Sequence, residues 1–335
     1  MATIYDIARY TKLSPSTVGR VLRKSGYVSE RTKTLVEEAA RELNYTPTLA
    51  AQTLRTKKTK KILFCIEGMN NQFFNRLSEG INAVLEPHGY YCMICFTGAS
   101  TERELEVMHL LDEQYADGMI MVSTDVCRPL LDAINKQMKP VVLINWVDHK
   151  LPTDRFYNVY TDVTRGTYRA TELLINHGHQ CIGYLSGGIS NSTGLSRWLG
   201  YRQCLEDHQL PLNEAHVFQC SHRESIQDMA DRFIQLDPRP TALVSTNDIL
   251  TLQAIFAMKK RGVRIPMDVS VISSDDIDFC QYNDPPITSV ALQDRRLGKI
   301  AAQLIMDHLA GKEGDYQTIV LDTEIKYRES VSAVR

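Results

Sequence analysis

A chain of 335 residues, 43% hydrophobic and 23% charged, holds more material than one hydrophobic core usually supports, in the composition of an ordinary globular protein; fibrous, disordered and membrane-spanning classes are set aside. The net charge of −2 conceals a split, because residues 1 to 61 carry 13 Lys+Arg against 5 Asp+Glu and the rest carries 25 against 35. A basic head of about +8 on an acidic body of about −10 suits a module that neutralises phosphates and releases their counterions.

The head, residues 1–46, is patterned for three helices. Ile4, Ile7 and Ala8 make the apolar face of the first. The second starts at Ser14-Pro15-Ser16-Thr17, with Ser14 able to cap it and Pro15 in its first turn. Val18, Val21 and Leu22 face inward there, which leaves Ser16, Thr17 and Arg20 outward. A third helix runs from about Glu30 to Leu43, with Leu35, Val36, Ala39 and Leu43 inward. Three short helices with a tight turn between the first two predict a helix-turn-helix.

The start, Met-Ala-Thr-Ile-Tyr-Asp-Ile-Ala-Arg-Tyr, has no apolar run of a signal peptide. Eight cysteines scattered through apolar segments imply reduced thiols and a cytoplasmic location. Cys92 and Cys95 form a C-x-x-C that reads as a buried strand and lacks a second pair at zinc spacing, so neither metal nor cofactor is expected.

Residues 47–60 are polar, small and basic, a linker with a short helix at 48–54. From 61 to 335 apolar strands near 62–66, 90–96, 118–122, 141–145, 181–185, 241–245 and 270–273 alternate with amphipathic helices such as 74–88, 101–115, 164–177 and 295–310. That alternation predicts parallel sheets with helices on both faces, in two lobes with a ligand cleft at the carboxyl ends of the strands. No G-x-S-x-G, G-x-x-x-x-G-K-[ST], H-E-x-x-H or strand-linked G-x-G-x-x-G occurs, Gly187-Gly188 being a lone glycine turn, so no catalytic residue is nominated. A periplasmic-type binding protein shares such a body but has no use for a basic helical head.

Thr3-Ile4-Tyr5-Asp6-Ile7-Ala8, the run from Leu13 to Leu22, Tyr27-Val28-Ser29 and Leu43-Asn44-Tyr45-Thr46-Pro47 closely resemble the headpiece of the lactose-repressor (LacI/GalR) family. The resemblance continues in Phe73-Phe74, Asp162 with Gly166, Gly178-His179, Arg197 before Gly200-Tyr201-Arg202, Thr246-Asn247-Asp248, Ile265 to Ser270 and Asp275-Asp276. It implies an all-α helix-turn-helix headpiece joined to a two-lobed, periplasmic-binding-protein-like, doubly wound α/β domain. The function implied is transcriptional repression, with operator affinity controlled by a sugar, sugar acid or sugar phosphate held between the lobes.

On that reading Ser16, Thr17 and Arg20, with Ser14 beside them, face base edges, where an Arg can read guanine bidentately. Thr3, Tyr5, Ser29 and Tyr45 are candidates for phosphate contacts that set register. Ala51 and Leu54 fall on the positions with which the family's hinge helix wedges open the minor groove. Family members usually carry larger side chains at Pro15 and Ser16, and a Ser at Gly19, so the operator sequence is not legible. One short recognition helix reads a half-site, which implies a homodimer on a pseudo-palindromic operator. No heptad-repeat tail precedes Arg335, which opposes a tetramer.

The resemblance also implies an effector site of Phe73, Phe74, Ser123 or Thr124, Asn145, Asn191, Thr193, Arg197, Asn247 and Asp275. Singly, each of these residues equally reads as a cap or turn residue, Asn247 as a helix start and Arg197 as half of a structural ion pair. Together they supply the paired donors and acceptors a polyol needs. Asn191 stands where purine-sensing members have Arg, which disfavours purines. Ser221 stands where several members place an aromatic, and His222 and Arg223 join Arg197 as partners for an anion.

Overall fold

The computed structural model describes residues 2–23, 25–46, 58–123, 126–147, 155–189, 191–220, 225–312 and 314–334. The linker residues Ala51 and Leu54, the nominated Thr124, and Ser221, His222 and Arg223 lie outside the described residues. The chain forms two compact units, Met1–Thr59 and Lys60–Arg335. Among the described residues no helix is long and apolar enough to cross a membrane.

In the first unit, α1 (Ile4–Thr11), α2 (Pro15–Leu22) and α3 (Glu30–Glu42) close around Ile7, Ala8, Val18, Val21, Val36 and Ala39. Lys12 ends α1 in the left-handed conformation at φ 56°, which makes the tight turn toward α2. Leu35, expected inward, is 43% exposed. The face of α3 is centred on Val36, Ala39 and Leu43, and Leu35 lies about a quarter turn from that centre.

The second unit alternates strand and helix as expected. Its first lobe contains β1 (Lys61–Ile66), α4 (Gln72–Leu85), β2 (Tyr91–Phe96), α5 (Thr101–Asp112), β3 (Gly118–Val122), α6 (Arg128–Lys136), β4 (Val141–Ile144) and β5 (Tyr157–Thr161). The chain then passes to the second lobe through α7 (Val163–Asn176), β6 (Ile182–Ser186), α8 (Ser192–Asp207), β7 (Val217–Gln219), α9 (Ile226–Gln235), β8 (Ala242–Ser245), α10 (Asp248–Lys259), β9 (Ser270–Asp275), α11 (Phe279–Tyr282) and β10 (Thr288–Ala291). It returns through α12 (Asp294–Leu309) and β11 (Thr318–Leu321), and crosses once more to β12 (Glu324–Lys326). The sheets run β11-β5-β4-β3-β1-β2 and β12-β10-β9-β8-β6-β7, parallel in every pair but β10 with β12.

Five strands (β5, β7, β10, β11 and β12) were not expected. In β5 the polar Asn158 and Thr161 are buried and break the apolar run; Asn158 Nδ2 donates to Trp146 O at 3.0 Å and Thr161 Oγ1 to Leu292 O at 2.9 Å. The reading of Cys92 and Cys95 as a buried strand also needs correcting. β2 is the edge of its sheet, Tyr91 and Phe96 are exposed, and the two cysteines fall on opposite faces because their spacing is odd.

α4 and α12 pack backbone to backbone, and only glycine permits it. A Cβ on Gly80 would stand 2.2 Å from the Arg295 carbonyl oxygen, and one on Gly298 would stand 2.3 Å from that of Leu77.

Candidate DNA-binding face and effector cleft

Three of the hydroxyls nominated in the head, those of Thr3, Ser14 and Ser29, turn out to start its helices. Thr3 caps α1 in a reciprocal box: Asp6 N donates to Thr3 Oγ1 at 3.3 Å, and Thr3 N donates to Asp6 Oδ2 at 2.9 Å. The Thr3 hydroxyl and amide bonds hold the Asp6 carboxyl below its usual value. Ser14 accepts from Thr17 N at 3.2 Å, and its hydroxyl lies 2.8 Å from those of both Ser16 and Thr17. Ser29 caps α3 from the same position, accepting from Thr32 N at 3.4 Å. Ser16 and Arg20, four residues apart on α2, are both exposed, and Thr17 beside them is half-buried. Tyr5 is exposed, whereas Tyr45 packs against the headpiece core.

In the second unit the nominated residues converge. Phe73, Phe74, Ser123, Asn145, Asn191, Thr193, Arg197, Asn247 and Asp275 all line one cavity of about 270 Å³. Four of the nine follow the carboxyl ends of parallel strands: Ser123 after β3, Asn145 after β4, Asn247 two residues after β8, and Asp275 at the end of β9. Phe73 and Phe74 enter from the first turn of α4 as a T-shaped pair with centroids 5.3 Å apart. Glu67, Asn71, Gly187, Gly188 and Thr246 also line the cavity and were not nominated. Asn71 was findable as a cap two residues ahead of Phe73. The Gly187-Gly188 turn is part of the wall, and a Cβ on Gly194 would meet the Gly188 carbonyl oxygen at 2.4 Å.

Three helices begin at this cavity with asparagine caps. Asn71 Oδ1 accepts from Phe73 N at 3.0 Å, Asn191 Oδ1 from Gly194 N at 2.7 Å and Asn247 Oδ1 from Leu250 N at 2.8 Å. The capping oxygen is thereby committed, and the amide NH2 is the end able to donate elsewhere. Asn71 uses its own on Asp275 Oδ2, at 3.1 Å and from the other lobe.

The charged centre is Arg197 with Asp275, Nη2 to Oδ1 at 3.0 Å, at 12% and 5% exposure. The ion pair expected as the alternative reading of Arg197 is therefore present, at the cavity wall. Asp275 sits at φ 107°, a region that favours glycine, so its placement carries backbone strain. Burial raises the Asp275 carboxyl against the opposing pull of Arg197 and Asn71. Behind it Asp248 is fully buried and accepts from Ile277 N at 2.7 Å and Ser289 Oγ at 2.9 Å; burial, then the Asp275 charge, raises it to about 7. Below the cavity the lobes are clasped. Gln72 exchanges two 2.7 Å hydrogen bonds with Asp278, and Arg76 donates to Asp276 O at 2.6 Å and pairs with Asp278.

Two cavity groups are buried with no hydrogen-bond partner among the described residues: Ser123 Oγ from the first lobe and Arg197 Nε from the second. A buried polar group left unpaired costs about 1–3 kcal/mol, which a bound ligand can return. Among the described residues no cluster of His, Cys, Asp and Glu is arranged to hold a metal ion.

Residues 3–48 match the pattern described as bacterial regulatory proteins, lacI family, and residues 171–331 match the periplasmic binding protein-like domain. The HTH-type transcriptional repressor PurR of Photobacterium profundum is 32% identical over 336 residues, covering 99% of each chain. A structure of the lac repressor dimer bound to operator and the anti-inducer ONPF superposes with TM-score 0.86 at 23% identity, covering 99% of both chains. The transcriptional regulator CelR–cellobiose complex gives TM-score 0.73 at 24% identity over 99% of this chain and 100% of that one. The head capped for three helices, the two-lobed body and a relative of this identity along the whole length agree: the chain belongs to the lacI family of bacterial regulatory proteins.

Proposed function

We propose that the chain is a DNA-binding transcriptional repressor whose operator affinity is set by a hydroxyl-rich small molecule held between the two lobes. The observation that carries the ligand half is the convergence of polar side chains from both lobes on one cavity, among them Ser123 and Arg197, each of which keeps a buried polar atom without a partner among the described residues. A ligand that touches both residues bridges the lobes. Arg197 already shares its charge with Asp275, and Glu67 adds a second carboxylate to the wall. Such a wall favours a neutral polyol over a sugar acid or sugar phosphate, because hydroxyls donate to carboxylates and accept from the amides of Asn191 and Asn247. Phe73 and Phe74 offer the apolar face a sugar ring packs on. Cellobiose in the CelR complex is of this class.

For the DNA half, Ser16, Thr17 and Arg20 on α2 read bases, and Thr3, Tyr5, Ser14, Ser29 and Tyr45 serve phosphate contacts or hold the helix starts that make them. Ala51 and Leu54 supply the minor-groove wedge. The protein acts as a homodimer on a pseudo-palindromic operator and works in the cytoplasm; the lac repressor structure is likewise of a dimer bound to operator.

A thermal-shift panel of cellobiose, ribose, glucose 6-phosphate, gluconate and hypoxanthine tests the ligand class. A ligand at a hundred times its Kd adds about 2.7 kcal/mol to folding, so a neutral sugar raises Tm. Stabilisation by the phosphate, the acid or the purine alone rejects this reading. Operator titrations against salt test the DNA half: contact with about six or more phosphates gives a log–log slope near −5 or steeper, and a slope near −1 rejects it.

A further inference from the structure

The C-x-x-C of β2 does not pair within itself, but one of its cysteines has another partner. β1 and β2 are parallel, and Cys65 is the register partner of Cys95. Both side chains lie on the sheet face that carries Leu63 and Met119 and packs against Met108 of α5, whereas Cys92 packs on the opposite face against the other core. Neighbouring strands lie about 4.7–4.9 Å apart, inside the roughly 4.4–6.8 Å between Cα atoms that a disulfide spans. The two thiols differ in access: Cys65 is fully buried in the second strand from the edge, and Cys95 is half-buried on the edge strand itself.

We propose that Cys95 and Cys65 form a hydroperoxide-reactive thiol pair, with Cys95 as the attacking and Cys65 as the resolving sulfur.

The electrostatics fit those roles. The facing Cys65 thiol, acting as hydrogen-bond donor, lowers Cys95 against the opposing effect of its partial burial, which favours the thiolate on the accessible sulfur. The same bond, burial and the nearby charges of Glu104 on α5 and of the other cysteines keep Cys65 protonated. Burial raises Cys92 to about 11, which leaves it inert. The chemistry balances with a hydroperoxide as the sole oxidant. The Cys95 thiolate attacks a peroxide oxygen, the O–O bond breaks, and the leaving alkoxide or hydroxide takes up a proton from water, giving Cys95 sulfenic acid. The Cys65 sulfur then attacks the Cys95 sulfur; the S–O bond breaks and the departing hydroxide takes the Cys65 proton as water. In sum two thiols and one hydroperoxide give one disulfide, one alcohol or water and one further water, a two-electron oxidation. Cys65 lies two residues before the cavity-lining Glu67, so the link is made in the strand that leads into the cleft.

Full-length protein, reduced and then freed of reductant, is treated with hydrogen peroxide at pH 7.5 and followed by intact mass and peptide mapping. Wild type and Cys92→Ser are expected to lose two hydrogens and yield a Cys65–Cys95 linked peptide. Cys95→Ser is expected to react about tenfold more slowly or less and to form no link. Cys65→Ser, with Cys65→Ala as the alternative if the buried hydroxyl unsettles the fold, is expected to accumulate a sulfenic acid at Cys95 that dimedone traps. Unchanged melting temperatures before oxidation show that the variants fold. A wild-type chain that keeps both hydrogens, a link between any other pair, or dimedone trapped elsewhere than Cys95 overturns the proposal.

Discussion

The headpiece starts its helices with hydroxyls, Thr3, Ser14 and Ser29, whereas the three helices that open onto the cleft start with asparagines, Asn71, Asn191 and Asn247. A capping hydroxyl has one proton left to give, and at Thr3 it goes to the neighbouring Asp6 carboxylate. A capping asparagine keeps a whole amide NH2 on its far side. The headpiece therefore consumes its caps locally and leaves Ser16 and Arg20 exposed on α2. In the body the caps are themselves cavity wall: Asn71 spends its amide NH2 on Asp275, and Asn191 and Asn247 start their helices with the NH2 still able to donate.

The largest test of this contrast falls on the charged centre. Arg197→Ala leaves Asp275 buried without its cation and is expected to lower unfolding free energy in urea by about 3–5 kcal/mol. Adding Asp275→Asn is expected to restore most of the loss while sugar binding stays abolished. Should the single variant cost under about 1 kcal/mol, the pair does not organise the cleft.

A second test uses pH. Burial, followed by the Asp275 charge, raises Asp294 to about 7 from an ordinary 3.8. An acid that holds its proton more tightly when folded imposes no cost below about pH 4, an increasing one from there to about 7, and its full cost above. Asp294→Asn removes that cost, so its Tm advantage over wild type is expected to widen by a few degrees between pH 5 and pH 8. An advantage that is constant across this range contradicts the burial argument.

The caps themselves give smaller effects. Asn247→Ala is expected to cost about 1 kcal/mol and to weaken sugar binding, whereas Asn247→Asp keeps the cap and loses only the donor. If both variants bind sugar normally by calorimetry, the asparagine caps are structural and the contrast fails. In the headpiece Ser14→Gly is expected to cost only a few tenths of a kcal/mol and Ser14→Ala about 1. A Ser14→Ala cost near zero, measured by thermal melts, makes the hydroxyl dispensable as a cap.

The sequence was legible where residues act through local pattern. The headpiece helices, seven strands and their helices follow from apolar periodicity, and the cavity set follows from family positions. It was not legible where burial and polarity part company. Asn158 and Thr161 hide β5 because a buried polar residue looks like a loop until its partners, Trp146 O and Leu292 O, are known. The apolar edge strand β2 shows the reverse, apolar side chains left outside by a place in the sheet that no local pattern reveals, and Leu35 lies about a quarter turn off the buried face of α3. Glu67 and Asn71 reach the cavity because β1 ends there, a fact of topology, and the Asp275–Asn71 bond spans 204 positions in sequence.

The contact between Gly80 and Gly298 has a mechanical meaning. Where helices meet through long side chains, rotamer changes take up small displacements and little is passed on. Here the two backbones touch, with a carbonyl oxygen of each helix filling the place of a missing Cβ on the other. α4 carries Phe73 and Phe74 at the cavity in its first turn and Gly80 two turns further along. Any shift of α4, such as the proposed ligand would cause by seating on those rings, is handed to α12 without slack, as through a gear with no backlash.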